Sequence, residues 1–384
     1  NVAGLSLGIA AVVAIYVYIH DELSYDDFHK RRDSVFRINT VTKFDGGENR
    51  YSTTSAPLGE AIKADIADVE FVARLFERQA SIQISDSNNS ESEAKKFRED
   101  HFFFSDPSVF DVFTFQFLKG DSETALKDPS GLVVSRSIAE KYFGSVDAAM
   151  GQDILFEGHR MLTISGIIEN YPDQSHLQIE MLAHFEHYYT EERQEIQAYL
   201  RSDWLYNPIS TYVVLVNDAN PSLVEKSINR LKDKYADERV IKGVEFELQP
   251  LPEIHLHSNF TFAEQSSGIR YIYMLVSVPV LVLFTACINF VNLSNVHSLR
   301  RAREIGVRKV LGAKRNGLMW RFLGESSALV LLSFVLGVGV ACIILPVLNE
   351  ITGKHFTLTD LLSLKLVGGL ALIFILTAFL AGMY

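Results

Sequence analysis

The chain has 384 residues, 48% of them apolar, with 36 basic against 47 acidic side chains and two cysteines. A mean hydropathy of +0.11 is high for a water-soluble protein. The 11% aromatic content and only 10 prolines exclude a disordered or fibrous chain, and the length calls for at least two packed units. Cys287 and Cys342 lie inside apolar runs, where a thiol acts as a small hydrophobe, so they build no disulfide framework.

Charge is divided unevenly. Residues 1–20 carry no Asp, Glu, Lys or Arg; residues 21–270 carry 26 basic and 43 acidic residues, and residues 271–384 carry 10 basic and 4 acidic. This is the pattern of an acidic soluble domain flanked by membrane segments. So acidic a surface repels phosphate, which removes nucleic acid from the partners considered.

Four apolar runs reach the length of about 20 residues needed to cross a hydrocarbon core of about 30 Å. In chain order they are 1–20, 271–297, 322–346 and 361–384. The first is expected to be an uncleaved anchor, because no basic stretch precedes it and no small-residue cleavage site precedes Asp21. Pro279 sits within the second run and Pro346 closes the third. The fourth run ends without a polar tail, which points to a fragment of a longer chain.

Between the first and second spans, the domain of residues 21–270 reads as mixed α and β. Ser34 to Lys43 alternates apolar and polar residues, Ala56 to Ile66 has helical spacing, and Val69 to Ile84 returns to strand composition. Toward its end, Thr211 to Val216 is a strand, Asn220 to Tyr235 a helix after an Asn-Pro-Ser start, and Val244 to Leu251 a strand again. Two βαβ units sharing one sheet give a ferredoxin-like arrangement. Residues of about 95–200 between them form an inserted subdomain with an aromatic cluster (Phe102, Phe103, Phe104, Phe110, Phe113, Phe115, Phe117), a helix near Ser137 to Tyr142, and strands near Leu132, Asp153 to Phe156 and Met161 to Ile168. The fold class is therefore an α+β membrane protein: four transmembrane helices and a large extracytoplasmic α+β domain.

Orientation follows from the segment 298–321. There Arg300, Arg301, Arg303, Arg308, Lys309, Lys314, Arg315 and Arg321 accompany a single acid, Glu304. Burying eight such groups in lipid costs on the order of 20 kcal/mol, so this short loop is cytoplasmic. The domain of residues 21–270 and the loop 347–360 are then outside.

Chemical motifs are sparse. No G-x-x-x-x-G-K-[ST] phosphate loop is present, so ATP energy must come from a partner; no G-x-S-x-G elbow supports a hydrolase. His255 and His257 could be two metal ligands on one strand face, but no third ligand completes a site, and structural or solvent-facing histidines are the plainer reading. Catalytic, cofactor-binding and metal residues are expected to be absent. Asn289, Asn292 and Asn295 recur every three residues in the second span, where polar groups hold helices together more often than they line a pathway.

The basic segment offers more than charge. As a helix, Ser298 to Leu311 places Leu299, Ala302, Ile305 and Val310 on one arc, with Arg300, Arg301, Arg303, Glu304 and Arg308 on the rest. Gly306 and Gly312 permit close approach of another backbone, so docking to a cytoplasmic protein fits better than a simple headgroup anchor.

Arg303-Glu304-Ile305-Gly306-Val307-Arg308-Lys309-Val310-Leu311-Gly312-Ala313, just after a span, closely resembles the signature of the MacB/FtsX-like ABC transporter permeases. Asp21-Glu22-Leu23-Ser24-Tyr25-Asp26-Asp27-Phe28-His29 resembles the start of the MacB-type periplasmic core domain of Bacteroidetes-like permeases. Phe110 to Phe113, Phe117 to Asp121, Ala139 to Gly144 and Gly166 to Ile168 are similar to that domain as well. The resemblance implies a non-catalytic permease subunit of the bacterial inner membrane, its large domain in the periplasm, paired with a cytoplasmic ATPase that binds ATP and Mg. Residues Arg303, Glu304, Ile305, Gly306, Val307, Arg308, Lys309, Leu311 and Gly312 would form its coupling element.

The implied mechanism is mechanotransmission, serving export or extraction of a peptide, antibiotic or lipophilic cargo. A second permease half or a homodimer, and a periplasmic adaptor or hydrolase, are the further partners implied. An FtsX-like regulator of a cell-wall hydrolase and an extracytoplasmic ligand sensor are the alternatives. Relatives commonly carry a second domain-and-helix set, which this sequence does not contain.

Overall fold

The computed structural model describes residues 2–44, 46–84, 95–258, 260–261, 268–286, 288–289, 315–357 and 364–382. In chain order the elements are α1 (Val2–Leu23), β1 (Val35–Phe44), β2 (Gly47–Tyr51), α2 (Ala56–Asp65), β3 (Val69–Ile84), β4 (Lys95–Ser105), α3 (Val109–Val112), β5 (Phe117–Lys119), β6 (Gly131–Ser135), α4 (Arg136–Phe143), α5 (Val146–Ala149), β7 (Asp153–Phe156) and β8 (Arg160–Ile168). There follow β9 (Met181–His184), α6 (Glu186–Thr190), α7 (Gln194–Ser202), β10 (Ser210–Leu215), α8 (Pro221–Tyr235), α9 (Glu238–Gly243), β11 (Val244–Pro250) and α10 (Leu251–His257). The last three are α11 (Ile269–Ala286), α12 (Arg315–Thr352) and α13 (Leu364–Gly382). They fall into two compact units, residues 24–268 and residues 1–23 with 269–384.

Local sequence accounts for the helix boundaries of the larger unit. The Asn220 side chain accepts from Ser222 N–H and Pro221 fills the first position of α8, where its missing donor costs nothing. Ser135 caps α4 by accepting from Ile138 N–H, and Gly144 ends it with a left-handed φ of 79°.

The described strands form one eleven-stranded sheet in the order β11-β1-β10-β3-β4-β9-β6-β8-β5, with β2 beside β1 and β7 bridging β3 and β8. β10 runs antiparallel to both β1 and β3, so α2 carries the chain from β1 to β3 across β10. β1 runs antiparallel to both β10 and β11, and α8 makes the second such crossing. The strands of the inserted stretch, residues of about 95–200, continue this sheet. Leu75 to Arg78 of β3 pair with Phe102 to Ser105 of β4, whose other edge takes β9 in parallel. Pairing an open edge satisfies backbone groups that a free edge would leave to water.

Strand alternation divides the aromatic cluster that looked continuous in sequence. Phe102 and Phe104 pack on one face with Ile82, Phe156, Met181 and Tyr142, while Phe103 packs on the other with Leu75, Phe113, Leu182 and Tyr212. A third core lies between β1, β10 and β11 and the helices α2 and α8, centred on Ile38, Leu58, Ile62, Val213, Val224 and Ile228. Burial on both faces explains why β6 (Gly131–Ser135) is buried along its whole length.

His255 and His257 lie on α10, not on a strand. Pro250 before its first turn and Pro252 within it favour helix there, and residues two apart on a helix face in nearly opposite directions. His255 is buried and stacks on Tyr25, ring centroids 3.4 Å apart and planes within 6°. The two histidines therefore do not form a common ligand face.

In the smaller unit, α1, α11 and α12 are long and apolar enough to cross a membrane, among the described residues, and α13 is apolar over Leu366–Leu376. Glycines set the helix approach: a Cβ on Gly337 of α12 would lie 2.8 Å from Ser6 O and from Ile9 of α1, and one on Gly8 would meet Ala286 at 3.4 Å. On α12 the outward Ile343, Val347 and Ile351 form an apolar stripe at four-residue spacing, a surface suited to hydrocarbon. α11 runs through Pro279.

Pro346 does not close the third run, because α12 continues past it to Thr352. The proline removes one helical donor, but the end beyond it is held. Asn349 Nδ2 donates to Phe356 O at 3.0 Å, and Phe356 N–H donates back to Asn349 Oδ1 at 3.0 Å. Among the three asparagines of the second span only Asn289 is described, and it is helical.

Candidate functional site

The residues expected from the sequence to form a coupling element, Arg303, Glu304, Ile305, Gly306, Val307, Arg308, Lys309, Leu311 and Gly312, lie outside the described residues, as do Asn292 and Asn295. What is described begins directly after them. α12 starts at Arg315 and runs 38 residues, about 57 Å at 1.5 Å per residue, nearly twice the roughly 30 Å of a hydrocarbon core. It is one uninterrupted rod from the end of the basic segment to the loop that follows Thr352.

At the far end of that rod, Lys354 pairs with both Asp21 and Glu22, the last acids of α1. Glu22 is 2% exposed, so its charge depends on this ammonium and on neighbouring polar groups. Burial alone would lower the Lys354 pKa, but the hydrogen bonds and charges of Asp21 and Glu22 outweigh it and raise it. The ammonium also lies 4.8 Å from the Tyr18 ring centroid. α1 is thereby fastened to the α12–α13 loop where the acidic motif begins.

The same motif anchors within the larger unit a few residues later. Asp26 adopts a left-handed φ of 61°, a conformation that Asp tolerates better than most residues, and its N–H donates to Gln174 O at 2.9 Å. Its carboxylate accepts from Ser175 Oγ at 3.0 Å, from His176 N–H at 3.3 Å and from His176 Nδ1 at 2.8 Å. With Nδ1 donating, His176 Nε2 accepts from the Tyr212 hydroxyl at 2.8 Å. His29 Nδ1 accepts from Thr114 N–H at 3.0 Å. Its Nε2, 3.7 Å from Asp26, lies beyond hydrogen-bond range.

Burial would raise the Asp26 pKa, yet the charge and hydrogen bond of His176, with a smaller contribution from the nearby His29, hold it well below the carboxylate range. Burial dominates at His29 and lowers its pKa. Asp26 is 1% and Tyr212 0% exposed. The carboxylate–imidazole–phenol chain is therefore closed to substrate, and its chemistry is positional. It ties the segment after α1 to the loop before β9 and to β10. Among the described residues no group of three or more His, Cys, Asp or Glu side chains could hold a metal ion.

A second polar network centres on β3. Arg74 of β3 donates to both Asp106 carboxylate oxygens at 2.8 Å, to Glu60 at 3.0 Å, and to Ala56 O and the Tyr189 hydroxyl at 3.1 Å. Its guanidinium stacks over Phe185 at 4.0 Å. A Cβ on Gly59 would sit 2.7 Å from Arg74 Cδ, so glycine there makes room for the arginine. The sequence drew attention to residues 21–29 but not to His176, Tyr212 or Arg74, which carry no local signal.

A unit of long apolar helices and a large α/β domain in one chain define the class: a membrane protein with an extramembrane domain. Residues 1–231 match the MacB-like periplasmic core domain, and residues 276–384 match the FtsX-like permease C-terminal domain. The chain belongs to the MacB/FtsX-like family of ABC transporter permeases.

Among similar proteins, the macrolide export ATP-binding/permease protein MacB of Psychrobacter arcticus is 26% identical over 150 residues, 38% of this chain and 21% of that protein. MacB of Neisseria meningitidis serogroup A is 22% identical over 262 residues, 65% of this chain and 35% of that protein. The matched part thus spans about a fifth to a third of these relatives. Among solved structures, a permease-protein domain from Porphyromonas gingivalis is 20% identical with a TM-score of 0.47, covering 58% of this chain and 91% of that one. The periplasmic region of MacB from Actinobacillus actinomycetemcomitans is 12% identical, with a TM-score of 0.39 and coverages of 58% and 91%.

Proposed function

We propose that this chain couples ATP hydrolysis by a cytoplasmic ABC ATPase, which binds the ATP and Mg, to conformational change of an extracytoplasmic domain. The cargo would be a peptide, antibiotic or lipophilic molecule, including antimicrobial peptides, exported from or extracted at the outer face of the inner membrane. The observation that carries the reading is α12. In a chain of this family, one continuous helix of 38 residues runs from the end of the basic segment to the loop whose Lys354 grips Asp21 and Glu22 of α1. A rigid rod longer than the bilayer core moves both its ends together, which is what mechanotransmission requires.

In this reading Arg303 to Gly312 dock on the ATPase, residues 298–321 are cytoplasmic, α13 is the fourth span, and residues 21–270 stand in the periplasm. The order β11-β1-β10-β3 with its two helical crossings supports a ferredoxin-like half of that domain. Two ATPase subunits imply two permease halves, as a homodimer or a tandem chain. The test is affinity purification of the chain from its native membrane. A P-loop ATPase should accompany the wild type and be lost from Arg308→Glu; a wild-type preparation free of any ATPase refutes the reading.

A further inference from the structure

A half-open pocket of about 300 Å³ lies in the larger unit against α6 and α7, walled by Phe76, Phe104, Tyr188, Tyr199, Leu200 and Tyr206. The wall is built, not incidental: Tyr188 packs edge-on against Phe76 with centroids 4.8 Å apart, and Phe76 stacks on Phe104 at 6.5 Å. Tyr188 is 6% exposed, yet among the described residues its hydroxyl has no hydrogen-bond partner. A buried hydroxyl without a partner is disfavoured, and an acceptor brought to it relieves that penalty. Burial, then Tyr206, Tyr189, Glu192 and Asp203, raise the phenol's pKa, so it stays a donor.

The rim decides the charge of the occupant. Arg78 is engaged by Glu157 at 3.2 Å, and Glu191 by Arg160 at 2.8 Å and His159 at 3.3 Å. Among the described residues the Glu192 carboxylate has no ion-pair partner and is exposed. Aromatic faces attract cations as well, and a domain carrying 43 acidic against 26 basic residues draws them from solution. We propose that this pocket binds a small amphipathic organic cation: a flat apolar body between the rings, a carbonyl accepting from Tyr188, and an ammonium at Glu192. The volume suits a body of about two fused rings, at the lower end of ligand pockets. Binding here is read directly and stands apart from ATPase coupling, so either can fail without the other.

The experiment uses the full chain in lipid nanodiscs and two fluorescent probes. One is an aminomethylcoumarin, which has a ring carbonyl and an ammonium. The other is naphthylmethylamine, of similar shape and charge without the carbonyl. Both should bind saturably above empty nanodiscs, the coumarin more tightly. Tyr188→Phe, which keeps the ring and the packing, should weaken the coumarin about three- to tenfold and leave the naphthyl probe unchanged, the range expected for one hydrogen bond. Glu192→Gln should weaken both probes about two- to fivefold, as for an exposed ion pair. Absence of saturable coumarin binding up to millimolar concentration, or an equal response of both probes to Tyr188→Phe, overturns the proposal.

Discussion

Asp26→Asn probes the joint at which α1 gives way to the α/β domain. Asn keeps the size of the side chain and tolerates the left-handed backbone at φ 61°, so the substitution isolates the charge. The carboxylate accepts three hydrogen bonds, at 3.0, 3.3 and 2.8 Å. An amide offers one oxygen and turns an NH2 toward at least one of those donors. Hydrogen bonds to a charged group are worth about 1.5–3 kcal/mol each, and part of that survives through the amide oxygen. A loss of about 2–4 kcal/mol follows. For a domain of this size, 1 kcal/mol corresponds to about 2–4 °C in Tm, so melting should fall by roughly 5–15 °C. The assay is thermal unfolding of residues 24–268 followed by circular dichroism at pH 7.5. A variant that melts within a degree of wild type would refute the reading of Asp26 as the keystone of this joint.

Gly337→Val should separate α1 from α12, since even a Cβ meets Ser6 O at 2.8 Å. The expected cost is about 1–3 kcal/mol, seen as earlier detergent-induced unfolding; an unchanged midpoint contradicts the packing. Lys354→Met leaves two poorly exposed carboxylates without their ammonium and should cost about 3–5 kcal/mol, whereas Lys354→Arg should retain most of the stability; equal loss in both variants would count against the ion pair. His29, His184 and His187 all have pKa values lowered chiefly by burial. The unfolded chain therefore binds more protons below about pH 6.5, and stability should decline as pH falls through that range. Asp26, depressed instead from the carboxylate range, keeps its contribution until pH falls below about 4. Tm at pH 5.5 should be below that at pH 7.5, and identical values would refute this accounting.

Much of the fold was legible because its signals are local. The division of charge and the apolar runs followed from composition, while the strand Val69–Ile84 and the helix after Asn220 followed from periodicity and capping. The histidines of α10 were misplaced because His-x-His alternation resembles a strand, while the decisive prolines at 250 and 252 act on the backbone. Pro346 was read as a stop because proline usually ends a helix; here the Asn349–Phe356 bridge holds the continuation.

By itself, the sequence determined which segments are most apolar, which are acidic, and where many of the strands and helices begin. These depend on residues within a turn or two of one another. Only the tertiary structure decided that Asp26 meets His176, 150 residues away, that Phe103 and its neighbours face opposite cores, and that the Tyr188 hydroxyl, in a residue lining an aromatic pocket, has no hydrogen-bond partner among the described residues. Contacts of that separation leave no periodic trace in the chain. They arise when sheet pairing brings distant strands side by side, and the physical chemistry of the candidate sites resides in those pairings.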